Sequence, residues 1–333
     1  MADTYLTLYL RLSETARAFL RVLVWFAPDP VPGALLDQWT DPAVAPFPPT
    51  LTGVLGELDA VHTLQWNPDH TAFTLPQALR HAAASDFIPQ EETPASLPIA
   101  LFWVNRAFTG DPGDVRTWPT NLAILPHAIA VAVSAADHDI PSPTTRLLNQ
   151  AALLEKSRAN FATAEPLFRL ALALDEKNFT PAHPRLAIHL NNLATLLKDT
   201  NRLSEAEPLM RRALEIDETS FGPRHPNVAT RLNNLAQLLK DTNQLAEAEP
   251  LMRRALEIDE ASFGPQHPKV ATRLNNLASL LQETNRLAEA EPLMQRALEI
   301  DEASFGPQHP NVAIRLNNLA TLFKATNRLA EAE

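Results

Sequence analysis

Four pairs of adjacent asparagines recur in the second half of this 333-residue chain, at a constant spacing of 42 residues. A side-chain amide offers both hydrogen-bond donors and an acceptor, so it can bind the backbone of an extended peptide whatever that peptide's sequence. A fixed period of this length also predicts a stacked repeat architecture. The pairs are Asn191 and Asn192, Asn233 and Asn234, Asn275 and Asn276, and Asn317 and Asn318.

The residues around the first pair follow a helical pattern. If the apolar side is centred near Leu193 and Leu197, a turn of about 100° per residue places Asn191 opposite that side and Asn192 at its edge. Stacked copies would then form a ladder of asparagines. The same side of the repeated helix is predicted to carry Thr195, Lys198, Lys240 and Lys324.

Two roles for the asparagine ladder stay open. The lysines beside it, with Arg231, Arg273 and Arg315 nearby, would favour an acidic protein or peptide ligand. Alternatively, one asparagine of each pair bonds the adjacent repeat and fixes the twist of the stack. The sequence does not show which asparagine of a pair faces a ligand.

A second set of polar residues with the same period is a row of loop histidines. Ligands of one metal ion must converge on it with bonds of roughly 2 Å, whereas packed helices lie about 8–10 Å apart. A structural role in the loops is therefore the better interpretation. The histidines are His183, His225, His267 and His309.

No other pattern indicates catalysis. The chain has no cysteine and no nucleophile motif such as GxSxG. The acidic segment Glu-Ile-Asp-Glu, repeated at 215–218, 257–260 and 299–302, is interpreted as a solvated surface. We therefore predict no catalytic, cofactor-binding or metal-binding residues, and a protein that is not an enzyme.

The period also defines the helices that position the asparagines. In the unit 226–267, helix A is predicted over Pro226–Asp241 and helix B over Leu245–Phe263, with the turn at 242–244. Gly264 suits a left-handed position after helix B. Three small residues lie where the two helices must approach closely: Ala236, Ala248 and Ala255. In every repeat, the first helix is called helix A and the second helix B.

The same pattern of two helices divides residues 142–333 into successive repeat units. The final helix A is predicted to lack its partner, which would expose Leu316, Leu319 and Leu322 and favour self-association. The predicted units are 142–183, 184–225, 226–267, 268–309 and a truncated 310–333.

Residues 1–85 predict a winged-helix-like domain, and residues 86–141 a helical spacer. Two short strands with alternating polarity flank the turn residues 67–70 and predict a β-hairpin. The predicted elements are helices 12–26, with Ser13 as N-cap, 31–39 and 51–61, strands 62–66 and 71–74, and helices 75–84, 97–108 and 118–136.

Charge argues against nucleic-acid binding by either half. The net charge is −11, and the third predicted helix carries Glu57 and Asp59 but no basic residue. The apolar segments, such as 129–136, are predicted to be too short to span a bilayer, and the N-terminus lacks the basic segment of a signal peptide. We expect a soluble cytoplasmic protein without membrane partners.

Three segments and the repeats resemble known families. The sequence from Arg21 to Pro32 (RVLVWFAPDPVP) resembles the winged helix of bacterial NB-ARC/tetratricopeptide proteins, which are STAND-type signalling NTPases. The segments 114–119 and 125–128 are similar to the spacer of those proteins. The helix pairs resemble tetratricopeptide (TPR) repeats. Their 42-residue length and their recurring Leu-Asn-Asn-Leu-Ala and Glu-Ala-Glu-Pro-Leu segments resemble the kinesin-light-chain subtype.

The resemblance implies an all-α protein: an α-solenoid of 42-residue TPR helix pairs, preceded by the winged helix and spacer. It also implies a concave groove that binds protein or peptide through the asparagines, as the sensor part of a switch. The nucleotide-binding GxxxxGK[ST] loop of that family does not occur in this chain, and Pro76 stands where the family places a nucleotide-contacting histidine. The alternatives are a stand-alone kinesin-light-chain-like adaptor and a winged-helix DNA-binding regulator.

Overall fold

The computed structural model describes residues 2–36, 51–61, 63–80 and 95–328, and its contacts divide the chain into unit 1 (1–179) and unit 2 (180–333). Unit 1 contains eight of the helices described below and three strands. In chain order they are α1 Ala2–Arg11, α2 Glu14–Leu23, β1 Val31–Pro32, α3 Gly33–Leu36, α4 Leu51–Ala60, β2 Gln65–Trp66, β3 Ala72–Thr74, α5 Ser96–Ala107, α6 Trp118–Asp137, α7 Thr144–Ser157 and α8 Phe161–Asn178.

Unit 2 is a succession of helix pairs in which helices A and B alternate. The helices are α9 Pro184–Asp199, α10 Leu203–Phe221, α11 Pro226–Asp241, α12 Leu245–Phe263, α13 Pro268–Glu283, α14 Leu287–Phe305 and α15 Pro310–Ala325. The predicted all-α solenoid of repeated helix pairs is confirmed. In the repeat 226–267 of unit 2, both predicted helices have the bounds that the sequence indicated.

The small sheet of unit 1 has the order β1-β3-β2, with both pairings antiparallel. The predicted hairpin is confirmed by the pairing of Trp66 with Phe73, and Asn67 closes its turn by accepting from the Thr71 amide at 2.8 Å. The helix predicted to start at Val31 is wrong there. Val31 instead lies fully buried opposite Phe73, so strand pairing overrides the local helical preference.

The helices of unit 1 largely follow the sequence. Ser13 caps α2 as predicted: its Oγ accepts from the Ala16 amide at 3.2 Å and donates to Glu57 Oε2 at 2.7 Å. Helix α2 ends at Leu23, three residues before the predicted end. The predicted helix 75–84 is helical over residues 77–80 but not at 75 and 76. Its remainder at 81–84 lies outside the described residues, as do residues 37–39 of the second helix and residues 86–94 of the predicted spacer.

Among the described residues one helical segment, 115–137, is long and apolar enough to cross a membrane by length and composition. The prediction that no segment is that long is therefore wrong. Within unit 1 the segment behaves as a core helix, since α6 packs against α5 and α7 and buries Ile124, Ala128 and Val131.

The loop between α2 and β1 is anchored by two side chains from elsewhere in unit 1. Arg80 donates to the carbonyls of Phe26 and Ala27, and His127 Nε2 lies 3.0 Å from the Pro30 carbonyl oxygen. His127 Nδ1 is buried and has no hydrogen-bond partner within the described part of the chain. The imidazole is therefore held in its neutral form.

Acidification should weaken unit 1 through His127. Burial lowers the pKa of this imidazole, and the bond to Pro30 opposes that effect only in part. Because the folded-state pKa is the lower one, the neutral ring's contribution is complete above the unfolded-state pKa of about 6.5 and is lost as the pH falls below it. Thermal melts at decreasing pH should lose more stability in the wild type than in His127→Gln, which does not titrate. Equal losses would contradict this assignment.

Within unit 2 each helix pair closes around small residues. Ala236, Ala248 and Ala255 are fully buried, as predicted. Asn243 turns the chain between helices A and B with a φ of 59°, and Gly264 ends helix B with a φ of 87° and a ψ of 156°. The positive φ is confirmed, but the ψ lies outside the left-handed helical region, in a conformation that only glycine adopts readily.

A buried ion pair joins each helix B to the helix A that follows it. Asp217, Asp259 and Asp301 are at most 1% exposed, although the sequence analysis interpreted their acidic segments as solvated surface. For the aspartates that interpretation is wrong, because they continue the buried face formed by alanine and methionine in helix B. The first glutamate of each segment is exposed, as predicted. The pairs are Arg231–Asp217 (2.8 Å), Arg273–Asp259 (2.8 Å) and Arg315–Asp301 (2.9 Å).

The last described helix, α15, packs against α14. Leu319 and Leu322 are buried, so the prediction that they are exposed is wrong, while Leu316 is exposed as predicted. The two buried leucines lie on the side of α15 that the preceding helix pair covers. Self-association stays a prediction.

Breaking one buried pair should cost far more than breaking an exposed pair. Arg273→Met leaves the Asp259 carboxylate buried and unpaired, so the free energy of unfolding should fall by about 3 kcal/mol. Arg253→Met removes the exposed partner of Glu249, which lies 2.8 Å away, and should cost less than about 1 kcal/mol. Urea titration followed by circular dichroism measures both; similar losses would show that the buried pair has no special weight.

Candidate peptide-binding face

One side of the A helices brings the predicted asparagines into register. We call it the A-face and define it by position in the repeat. Its residues are Ile188, Asn192, Thr195 and Lys198 in α9, Thr230, Asn234, Gln237 and Lys240 in α11, Thr272, Asn276, Ser279 and Gln282 in α13, and Ile314, Asn318, Thr321 and Lys324 in α15. Apart from the exposed Ile188, Thr272, Ile314, Thr321 and Lys324, these residues are half-buried.

The asparagines form a hydrogen-bonded ladder between successive repeats. The second asparagine of each pair donates from Nδ2 to Oδ1 of the first asparagine in the preceding repeat. The bonds are Asn234 to Asn191 (2.9 Å), Asn276 to Asn233 (2.9 Å) and Asn318 to Asn275 (2.8 Å). The structural role that the sequence left open is therefore present at all three of these junctions.

In the first two pairs the asparagines differ in burial, in the reverse of the predicted order. Asn191 and Asn233 are 6% and 7% exposed, whereas Asn192 and Asn234 are half-buried. The helical rotation that put Asn191 farthest from the apolar side is wrong because neighbouring A helices also contact each other, at the position of the first asparagine. Asn317, in α15, is exposed.

The ladder does not use the full capacity of its amides. A side-chain amide has two N–H groups and an oxygen with two lone pairs. Asn234 and Asn276 each use one N–H in the side-chain hydrogen bonds found among the described residues. For Asn234 and Asn276, a second N–H and the oxygen therefore remain for a ligand.

The hydroxyl next along the A-face is partly occupied. Thr195 Oγ1 donates to the Asn191 carbonyl at 2.7 Å, and Thr321 repeats this bond to Asn317 at 2.8 Å. A hydroxyl that already donates its hydrogen can only accept from a ligand. Gln237 and Ser279 hold the equivalent position in the middle repeats.

The predicted basic residues are engaged within the protein. Lys198 pairs with Asp241 at 2.9 Å, and Lys240 pairs with Glu283 at 2.8 Å, in each case across to the next helix A. Arg231, Arg273 and Arg315, predicted to select an acidic ligand, lie buried in the pairs described above, so that assignment is wrong. Lys324 is exposed and has no ion pair within the described part of the chain.

The loop histidines cap helices, which confirms their predicted structural role. His183 Nδ1 accepts from the backbone amide two residues later at 3.2 Å, and His225, His267 and His309 repeat this bond. His225 also stacks on Phe221 with 4.6 Å between ring centroids. In the described ranges no cluster of three or more His, Asp or Glu residues could hold a metal ion.

The lysine–carboxylate pairs are a feature of the A-face that the sequence reasoning missed. The signal was available, since opposite charges stand 43 residues apart at 198 and 241 and again at 240 and 283, the same separation as the asparagine bonds.

A cavity of about 380 Å³ lies away from the A-face. It is lined by Pro223, Arg224, Arg254, Glu257, Ile258 and Ala261.

The helix pairs define the class as an α-solenoid of repeats. The family of tetratricopeptide repeats matches more than half of the chain, over residues 143–219, 202–261, 232–303 and 270–333. The chain belongs to this family. No curated protein matches the chain.

Three solved structures with similar folds cover different shares of this chain. BtubC (BKLC) from P. vanneervenii is 25% identical, with a TM-score of 0.54 over 62% of this chain and 86% of that one. A putative kinesin light chain with nearly identical TPR-like repeats from Podosopora anserina is 20% identical, with a TM-score of 0.50 over 56% and 90%. A STAND protein with a tetratricopeptide repeat sensor from Pyrococcus horikoshii is 14% identical, with a TM-score of 0.51 over 97% of this chain and 50% of that one.

The asparagine ladder can be tested by a double-mutant cycle. Asn276→Ala leaves Asn233 Oδ1 without its donor, so the free energy of unfolding should fall by about 1–2 kcal/mol. Adding Asn233→Ala should cost less than the sum of the single changes, with a coupling of about 1 kcal/mol. Asn276→Ala with Asn191→Ala is the control and should be additive, because these residues share no bond. Additivity in both combinations would contradict the ladder.

Proposed function

We propose that this chain is a non-catalytic scaffold that binds an extended protein segment or peptide on the A-face. The observation that supports this most directly is the presence of two half-buried amides in the middle repeats, Asn234 and Asn276, each with hydrogen-bonding groups left over from the ladder. The ligand's backbone would bond these amides in succession, and the ladder would hold them at a fixed spacing. We place the protein in the cytoplasm and propose that binding needs no cofactor.

We further propose that the chain is the ligand-recognition part of a STAND-type signalling protein. The similarity to the STAND protein extends over 97% of this chain and so includes unit 1, whereas BtubC and the putative kinesin light chain cover 62% and 56% of it. This likeness concerns the fold alone. In the proposal, residues 1–85 form a winged-helix-like domain, 86–141 a spacer and 142–333 the TPR array.

A stand-alone adaptor like a kinesin light chain is the second candidate. It is supported by the fold of the putative kinesin light chain from Podosopora anserina, which is covered over 90% of its own length. Genomic sequence upstream of this chain separates the two candidates: an in-frame P-loop NTPase domain would support the STAND protein. DNA binding is not favoured, since Glu57 of α4 is hydrogen-bonded to Ser13 and α4 contains no basic residue.

Peptide binding should depend on the amides of the A-face. We expect the full chain to bind members of an array of immobilised random peptides. Asn234→Ala with Asn276→Ala should weaken this binding by at least about tenfold, because each change removes an amide bond worth about 1 kcal/mol. Circular dichroism should show retained helical content.

The matched control changes contacts between repeats away from the A-face. Arg254 and Arg296 each bond a glutamate in the preceding helix B and a loop carbonyl, so Arg254→Ala with Arg296→Ala loosens the same junctions. This control should keep peptide binding. Equal losses in both variants would assign the asparagines a purely structural role, and no binding by the wild type would reject the proposed function.

A further inference from the structure

Two of the three lysines of the A-face, Lys198 and Lys240, are held in ion pairs between successive repeats, whereas Lys324 in α15 is exposed. Lys198 Nζ lies 2.9 Å from Asp241, and Lys240 Nζ lies 2.8 Å from Glu283 and 3.0 Å from Ser279 Oγ. In both pairs the lysine is the more buried partner, with 25% and 15% of its side chain exposed against 40% and 48% for the carboxylates. Each ammonium group therefore already has an intramolecular counter-ion.

The other cations near the middle of the A-face are engaged as well. Arg231 and Arg273 are buried with their aspartates, and Lys269 Nζ lies 4.4 Å from the centroid of the Phe263 ring. In α13 the position equivalent to Lys198 and Lys240 is the neutral Gln282. The groups left for a ligand between α9 and α13 are therefore amides and hydroxyls.

This arrangement disfavours a charged ligand. An acidic peptide would have to displace a carboxylate from each lysine, and it would meet a chain whose net charge is already −11. A basic peptide would likewise have to compete with the lysines for Asp241 and Glu283. Between α9 and α13, either peptide would lose hydration of its charges without gaining an unpaired partner. An uncharged backbone meets no such cost, since the asparagine amides supply both donors and acceptors.

We propose that the ligand of the A-face is an extended peptide whose central residues are uncharged, and that the lysine–carboxylate pairs exclude acidic segments. This inference rests on the proposed function and names its ligand class. It replaces the acidic partner that the sequence alone suggested. The selectivity resides in Asp241 and Glu283, which neutralise Lys198 and Lys240.

Removing the two carboxylates should convert the selectivity without harming the fold. Asp241 and Glu283 are the last residues of α11 and α13, where a negative charge opposes the helix dipole. Asp241→Asn and Glu283→Gln keep the size of each side chain and leave both lysines without a counter-ion. The matched control is Glu247→Gln, which removes a carboxylate paired between repeats with Arg211 in helix B.

The experiment compares three pools of immobilised random peptides: rich in Asp and Glu, free of charged residues, and rich in Lys and Arg. The full wild-type chain should bind the uncharged pool best, with little dependence on salt. The Asp241→Asn/Glu283→Gln variant should gain roughly tenfold in binding to the acidic pool at low salt and lose that gain at high salt. Glu247→Gln should behave as the wild type does.

The possible results separate the two proposals. A wild-type preference for the acidic or the basic pool would overturn the inference and leave peptide binding intact. An unchanged preference in the double variant would overturn it as well. No binding to any pool by either chain would reject the proposed function, and the ligand class with it.

Discussion

The repeat array depends on a buried ion pair between each helix B and the next helix A. Replacing both members of a buried ion pair by apolar residues is often harmless, but a buried aspartate without its arginine is costly. The arginines of these pairs therefore fix the rotation of each helix A against the helix B before it. They are Arg231, Arg273 and Arg315. The alanines allow the helices to approach, and the ion pair selects one register from those that close apolar packing would permit.

This register is what places the asparagines and lysines of neighbouring repeats within bonding distance. The asparagine bonds and the lysine–carboxylate pairs join residues that are 43 positions apart, so both require the same displacement between successive A helices. A surface whose own polar groups are held in this way loses little conformational entropy when a ligand binds. The A-face is therefore suited to bind an extended chain at evenly spaced points.

The sequence predicted most of the repeat architecture because a 42-residue period reports the same local solution several times over. Capping proline, the asparagine turn and the terminal glycine each recur, so the bounds of α11 and α12 followed directly. The errors arose where contacts between elements decide the outcome. Val31 forms a strand because Phe73 lies opposite it, and Asp217 is buried because Arg231 comes from the next repeat. A helical wheel of a single helix could not show that Asn191 faces another helix A.

The central claim is that a ligand lies along the half-buried asparagines of the A-face. Selective ¹⁵N labelling of asparagine in the full chain, followed by titration with a peptide that binds from the uncharged pool, tests it most directly. The side-chain amide signals of Asn234 and Asn276 should shift together and saturate at the same peptide concentration, while the turn residue Asn243 stays unchanged. Shifts confined to the turn asparagines, with the ladder signals unmoved, would contradict the claim.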